Sequence, residues 1–216
     1  MIAPHPDDEV LGCGGTLLRR RAEGGATGWL IVTGMTEAAG WPADRIRSRD
    51  AEIARVAEAM GFADVYNLRV PTARLDLEGT GTLVERISAA VKAFQPTELL
   101  VPHPSDVHTD HRLVFDAAAA CAKWFRYPSV LRVLAYETPS ETDFGLDADR
   151  GFRPNYFVDV SGYLDRKLEV AAIYASELGA FPFPRSVDAL RALAVVRGAA
   201  SGYLAAEAFQ LLRERH

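Results

Sequence analysis

This sequence has few cysteines, no excess of basic residues and no long apolar runs. Its only two cysteines, Cys13 and Cys121, form no CxxC pattern, so we expect no disulfide framework and a cytoplasmic, reducing location. The 24 Lys and Arg residues against 29 Asp and Glu residues give a net charge of -5, which favours neither nucleic acid nor an anionic membrane as partner. No apolar run approaches the roughly 18 residues that a membrane span needs, so no stable membrane insertion is expected.

The segment ahead of the first polar motif is also short. Only Met1, Ile2 and Ala3 precede Pro4, although a strand usually needs about five residues. We therefore expect a first strand that is truncated, with several residues of the natural chain absent from this numbering. Any signal peptide would lie in that missing part.

The pattern of apolar residues predicts alternating strands and helices. Helices are predicted at 10–23, 44–60, 82–94, 110–124, 164–176, 187–196 and 202–213. Strands are predicted at 28–33, 65–68, 98–102, 130–136 and 156–160. This alternation predicts an α/β fold, a Rossmann-like, mostly parallel sheet with helices on both faces. The 216 residues contain no convincing linker, so we expect a single domain over 1–216.

Two polar motifs carry the candidate chemistry. The first contains His5, Asp7 and Asp8, and the second contains His108 and His111 with an aspartate between them. Each motif lies between a predicted strand and the next helix, and ligands of parallel sheets gather at the carboxyl ends of strands. Imidazole and carboxylate groups in these proportions are typical of a catalytic metal site with one acid and one imidazole left over.

The spacing within each motif suggests a division of labour. Adjacent Asp7 and Asp8 cannot point the same way, so one can bind a metal while the other faces the open side of that metal. His108 and His111 are three residues apart, so at a helix start they lie on one face. One of them can complete the coordination while the other reaches the substrate.

Each motif also has a structural interpretation. An Asp-Asp pair at a helix start is usually a cap, and a single HxxH is more often polar filling than a metal site. The glycines at Gly12, Gly14 and Gly15 lack the GxGxxG spacing of a dinucleotide loop. The joint occurrence of both motifs at strand ends makes the metal interpretation the better one.

At these residues the sequence resembles the PIG-L / LmbE-like family of zinc-dependent N-deacetylases. The stretches that match the family are 3–16 and 102–112, with weaker matches at 32–34, around Arg49 and near the end of the chain. The sequence departs from the family pattern in its short first strand. It also departs in the acidic residue expected directly after Thr33-Gly34, which is displaced to Glu37.

The resemblance implies that His5, Asp8 and His111 hold zinc. Two histidines and one carboxylate also suit ferrous iron, which stays the alternative metal. Asp7 would be the general base that activates water. The implied reaction is hydrolysis of the acetamide of an N-acetylglucosamine-type glycoconjugate.

The resemblance also assigns roles beyond the metal ligands. His108 would stabilise the oxyanion and protonate the leaving amine as general acid. Asp110 would orient one of the histidines, and Arg49 would contact the substrate.

Other functions stay open from the sequence. An amidase of the same fold would act on a thiol conjugate or a natural-product amide, and a catalytically silent domain would only bind metal or sugar. The expected partner is a small N-acetyl sugar or related amide. The Phe-Pro-Phe-Pro segment from Phe181 to Pro184 is a rim of the cleft or, with the C-terminal helices, a contact surface of a homo-oligomer.

Overall fold

Seven strands form the centre of the structure. The computed structural model describes residues 1–216 apart from the side chain of Ala148. The strands are β1 (Ile2–Ala3), β2 (Gly28–Gly34), β3 (Asp64–Pro71), β4 (Glu98–Pro102), β5 (Arg132–Tyr136), β6 (Tyr156–Asp159) and β7 (Ala206–Glu214). The helices are α1 (Asp8–Ala22), α2 (Ala43–Met60), α3 (Thr80–Phe94), α4 (Thr109–Ala120), α5 (Leu164–Ala171) and α6 (Val187–Ala199).

The strands pair in the Rossmann order. β2 is hydrogen-bonded between β1 and β3, and β4 is hydrogen-bonded to β5, all in parallel. β1 also contacts β4. From the next strand, β5, the Tyr136 hydroxyl donates to the Ile2 carbonyl of β1 at 3.0 Å. Hydrogen bonds define two sheets, β1-β2-β3 and β4-β5-β7-β6, and the contacts of β1 with β4 place these sheets side by side in the order β3-β2-β1-β4-β5-β7-β6. This confirms the predicted mostly parallel sheet.

Alternation along the strands places a core on each face of the sheet. On β2, Trp29 and Ile31 pack with α1, α2, α5 and α6, whereas Leu30 and Val32 pack with α3 and α4. Side chains of a strand point alternately to opposite faces, so both faces of a central strand must be apolar. The elements form a single α/β domain, while its limits at 1 and 216 remain a prediction. No helix in the described residues is both long and apolar enough to cross a membrane.

The first strand is as short as predicted, because β1 comprises only Ile2 and Ala3. Its neighbours nevertheless hold it tightly. The Leu30 amide donates to the Met1 carbonyl at 3.0 Å, and the Thr33 amide and hydroxyl both donate to the Pro4 carbonyl. These bonds deliver His5 to the carboxyl edge of the sheet.

The helix predicted at 202–213 is wrong, because residues 206–214 form β7. This strand runs antiparallel between β5 and β6. Its alanine, glutamate and leucine residues have high helix propensity, but propensity is a weak prior that tertiary context overrides. The backbone of β7 instead pairs with β5 on one side and with β6 on the other. The helices predicted at 110–124 and 164–176 end earlier, at Ala120 and Ala171.

Helix α1 is broken at Cys13, whose backbone is not helical (φ −148°, ψ 21°). A Cβ on Gly12 would lie 2.4 Å from the Tyr136 ring, so a glycine is needed where the helix meets β5. Past the break, the amides of Gly15 and Thr16 donate to the carboxylate of Glu207 on β7 at 2.8 and 2.7 Å. The close approach at Gly12 packs the half of α1 that carries Asp8 directly on β5.

Candidate active site

The two polar motifs lie together at the carboxyl edge of the sheet. His5 and Asp8 follow β1, and His108 and His111 follow β4, as the alternation of strands and helices predicted. His5, Asp8 and His111 offer ligand atoms that all lie within 4.8 Å of one another. The predicted metal ligands are therefore in one place although more than 100 residues separate them in the chain.

Three atoms form a nearly equilateral triangle. His5 Nδ1 lies 3.5 Å from Asp8 Oδ2, His111 Nε2 lies 3.4 Å from the same oxygen, and the two nitrogens are 3.3 Å apart. Tetrahedral zinc with ligand bonds of about 2.0–2.1 Å has ligand atoms about 3.3–3.5 Å apart. The spacing and chemistry of these donors fit a single divalent ion with one position left for water.

Carboxylates on the far sides of the two histidines fix their rings. His111 Nδ1 lies 2.8 Å from Asp106 Oδ2, and the Thr142 hydroxyl donates to Asp106 Oδ1 at 2.6 Å. His5 Nε2 lies 3.2 Å from Asp110 Oδ2. A carboxylate can only accept, so these contacts place the ring proton on the outer nitrogen and leave the inner nitrogen for a metal.

Asp110 thus lies beside His5, and the Ala73 amide donates to the same Asp110 oxygen at 2.8 Å. Asp110 was predicted from the sequence as a site residue, whereas Asp106 was not. The available signal was an acidic residue in the loop five positions before His111. His5, His108 and Asp110 also form a group within 4.8 Å, but Asp110 lies against the outer nitrogen of His5, Nε2.

The charges of the site favour metal binding. Burial lowers the pKa of His5, but its hydrogen bonds to Asp110 and Asp8 outweigh burial and raise the pKa to about 10. Burial raises the pKa of Asp8, yet His111 and His5 bring it below its usual value. The negative charge of Asp8 and Asp110 that raises the pKa of His5 also attracts a divalent cation, which competes with the proton for the inner nitrogen.

Asp7 lies outside the metal-binding triangle and has an unusual backbone. Its φ of 141° lies in a region that non-glycine residues rarely adopt, and such strain concentrates at functional sites. Its amide donates to the Glu9 carboxylate at 3.0 Å, and the Tyr174 hydroxyl donates to the same carboxylate at 2.8 Å. Burial, and next the charge of Asp8, raise the pKa of Asp7 to about 7.

His108 lies half-buried at the start of α4. Its Nδ1 accepts from the Asp110 amide at 3.1 Å, and its ring centroid is 4.6 Å from that of His5. Burial, and next the charge of His5, lower the pKa of His108. The imidazole is therefore held neutral with its proton on Nε2, which is still a hydrogen-bond donor.

Arg49 is buried and held by protein groups. Its guanidinium donates to the Pro6 carbonyl at 3.4 Å and pairs with Glu52 and Glu177. It also lies 5.5 Å from the Tyr174 ring centroid. The predicted contact of Arg49 with the substrate remains a prediction.

Comparison with known proteins places the chain in a family. Residues 1–122 match the PIG-L family, described as GlcNAc-PI de-N-acetylase. The chain belongs to the PIG-L family. This confirms the family predicted from the sequence and, with it, the class of enzyme, a hydrolytic N-deacetylase.

Individual relatives extend the match over the whole chain. Diacetylchitobiose deacetylase of Thermococcus kodakarensis is 27% identical over 98% of this chain and 81% of its own length. The crystal structure of the conserved protein TT1542 from Thermus thermophilus is 27% identical, with a TM-score of 0.78 and coverage of 100% of this chain and 94% of its own. The hydratase GalB of Pseudomonas putida has a TM-score of 0.78 at 18% identity, covering 100% of this chain and 95% of its own. The fold alone therefore does not decide the reaction.

Proposed function

We propose that this PIG-L family member removes the acetyl group from an N-acetylglucosamine-type glycoconjugate with the help of zinc. The observation that carries the proposal is the triangle of His5 Nδ1, Asp8 Oδ2 and His111 Nε2, with an acid and an imidazole beside it. A site that only binds metal or sugar needs neither of these two groups. The substrate class rests on the family description and on the diacetylchitobiose deacetylase relative.

The metal is proposed to be zinc, because two imidazoles and one carboxylate at tetrahedral spacing suit it, with ferrous iron as the alternative. When bound by His5, Asp8 and His111, zinc supplies a Lewis acid and lowers the pKa of water towards about 7. The PIG-L family and the donor geometry support a metal-dependent reaction.

The residues of the chain perform the proton transfers. The Asp7 carboxylate takes a proton from the attacking water, a step suited to a base whose pKa lies near neutrality. The Nε2–H of His108 donates to the carbonyl oxygen as negative charge develops there. As the C–N bond breaks, Asp7 passes that proton to the leaving nitrogen, so the products are a free amine and acetic acid, which ionises to acetate. His108 keeps its Nε2 proton in these steps, and its role as general acid remains a prediction.

The substrate and setting are also proposals. The partner is a small N-acetyl sugar or related amide, and Arg49 is proposed to act at the substrate. An amidase acting on a thiol conjugate or natural-product amide is the alternative within the same chemistry. The cytoplasmic location and a homo-oligomer remain predictions.

An acetate-release assay on a panel of N-acetyl sugars and acyl amides tests the proposal. The zinc-loaded protein should release acetate from N-acetylglucosamine-containing substrates and lose that activity on chelation. Release from the acyl amides alone would favour the amidase.

The variant Asp7→Asn should bind zinc as the unchanged protein does. Its kcat should fall about 10²–10⁴-fold, which is the usual contribution of a general base. Asp116→Asn, an exposed change of the same type on α4, is the matched control. Equal loss of zinc and activity in Asp7→Asn would mean that Asp7 is a ligand and that these roles are wrong.

A further inference from the structure

The Phe181–Pro184 segment leads directly into Arg185 at the site. Phe183 lies against Gly179, where a Cβ would be 2.7 Å from the ring. The ring centroid of Phe183 is 5.5 Å from the Arg185 guanidinium. Ser186 then caps α6 by accepting from the Ala189 amide at 3.1 Å. Arg185 is therefore placed by an anchored turn and a helix start, and the segment is a rim of the site.

Arg185 contacts the proposed general base. Its Nη1 lies 3.2 Å from Asp7 Oδ2 and 3.6 Å from Glu177 Oε2. Glu177 in turn pairs with the buried guanidinium of Arg49. The result is a chain of alternating charges, Asp7–Arg185–Glu177–Arg49, whose two ends are buried.

Arg185 provides the one hydrogen bond or ion pair made by the Asp7 carboxylate within the described part of the chain. The Asp7 backbone is held separately, through its amide and Glu9. The side chain can still rotate about its own bonds, and carboxylate torsions are broad. Fixing the backbone therefore does not fix the direction of the carboxylate.

We propose that Arg185 is a positioning residue that holds the Asp7 carboxylate in the direction needed to take a proton from water. This inference rests on the proposed function. Glu177 and Phe183 keep the guanidinium in place, so the orientation of Asp7 is set by the 181–185 segment. Misplacement of a reacting group by about 1 Å can cost about 10²-fold in rate.

The variant Arg185→Met removes the charge and keeps most of the side-chain length. We expect kcat for acetate release to fall about 10²-fold while KM and zinc content stay within about twofold. Arg185→Lys should recover at least about tenfold of the lost kcat, because one nitrogen of Arg185 makes both ion pairs. Arg191→Met on α6, which breaks the exposed pair of Arg191 with Asp165 of α5, is the matched control and should keep full activity.

A double-mutant cycle tests whether Arg185 acts through Asp7. In the Asp7→Asn background, Arg185→Met should change kcat by less than about twofold, because the group that Arg185 orients is no longer a base. Equal effects in both backgrounds would overturn the inference. So would a loss of zinc from Arg185→Met equal to its loss of activity.

A crystal structure of Arg185→Met provides a readout that does not depend on turnover. We expect the Asp7 carboxylate to be rotated from its position in the unchanged protein, while the triangle of ligand atoms keeps its spacing. An unmoved carboxylate overturns the inference whatever the activity. If the unchanged protein releases no acetate from any substrate, the proposed function fails, and the position of Asp7 in this variant still decides the role of Arg185.

Discussion

The buried ion pair between Lys167 and Glu207 joins the two halves of helix α1. In a regular helix the Gly15 amide would donate to the Leu11 carbonyl and the Thr16 amide to the Gly12 carbonyl. The break at Cys13 releases these groups. Lys167 Nζ donates to the Leu11 carbonyl at 2.9 Å and to Glu207 at 2.7 Å, while Glu207 accepts both amides. The pair thus replaces the missing helical bonds.

Each single substitution should be costly. Lys167 and Glu207 are each 5% exposed, so Lys167→Met leaves a buried charge without its partner, as does Glu207→Gln. Breaking a buried pair in this way costs about 3–5 kcal/mol. If the two effects were independent, the double variant would lose about 6–10 kcal/mol. It leaves no unpaired charge, however, and only one or two backbone groups without partners. At about 2 kcal/mol each, the middle of the usual range, these groups give an expected loss of about 2–4 kcal/mol.

Urea unfolding of the metal-free protein measures these differences without stabilisation by bound metal. The pair of Arg166 and Glu169, at 3.0 Å and with half or more of each side chain exposed, is the control. Arg166→Met and Glu169→Gln should each change the free energy of unfolding by less than about 1 kcal/mol. Losses below about 1 kcal/mol for the single variants at Lys167 and Glu207, or additive losses in the double variant, would refute the reasoning.

Two further predictions concern the site and its scaffold. Asp106→Asn should lower zinc affinity by about 10–100-fold in a competition titration, because Asp106 fixes the ring of His111; unchanged affinity would contradict that role. Gly12→Ala should lower the free energy of unfolding in urea by about 1–3 kcal/mol, because its Cβ would meet the Tyr136 ring at 2.4 Å. Gly81→Ala is the control and should not destabilise, because no atom of the described residues lies within 4 Å of its Cβ. Equal results for the two variants would count against the packing argument.

The strands of the buried sheet and the metal ligands could be predicted because their signals are local. The run 28–33 is apolar on both faces, and the motifs at 5–8 and 108–111 each lie at a strand end. β7 could not be predicted, because its residues favour a helix and only pairing with β5 and β6 makes it a strand. Arg185 reaches Asp7 across 178 positions, and no spacing rule connects two such residues.

The misread strand and the site depend on each other. β7 carries Glu207, which accepts the amides of the second half of α1, while the first half carries Asp8 into the metal-binding triangle. A regular helix would satisfy those amides itself, but it would lose the break at Cys13, which sets the direction of the first turn relative to the rest of α1. The break is tolerated because a buried carboxylate and ammonium satisfy the released groups. A strand at the end of the chain therefore belongs to the structure that presents Asp8, although none of its side chains makes a hydrogen bond or ion pair with the triangle among the described residues.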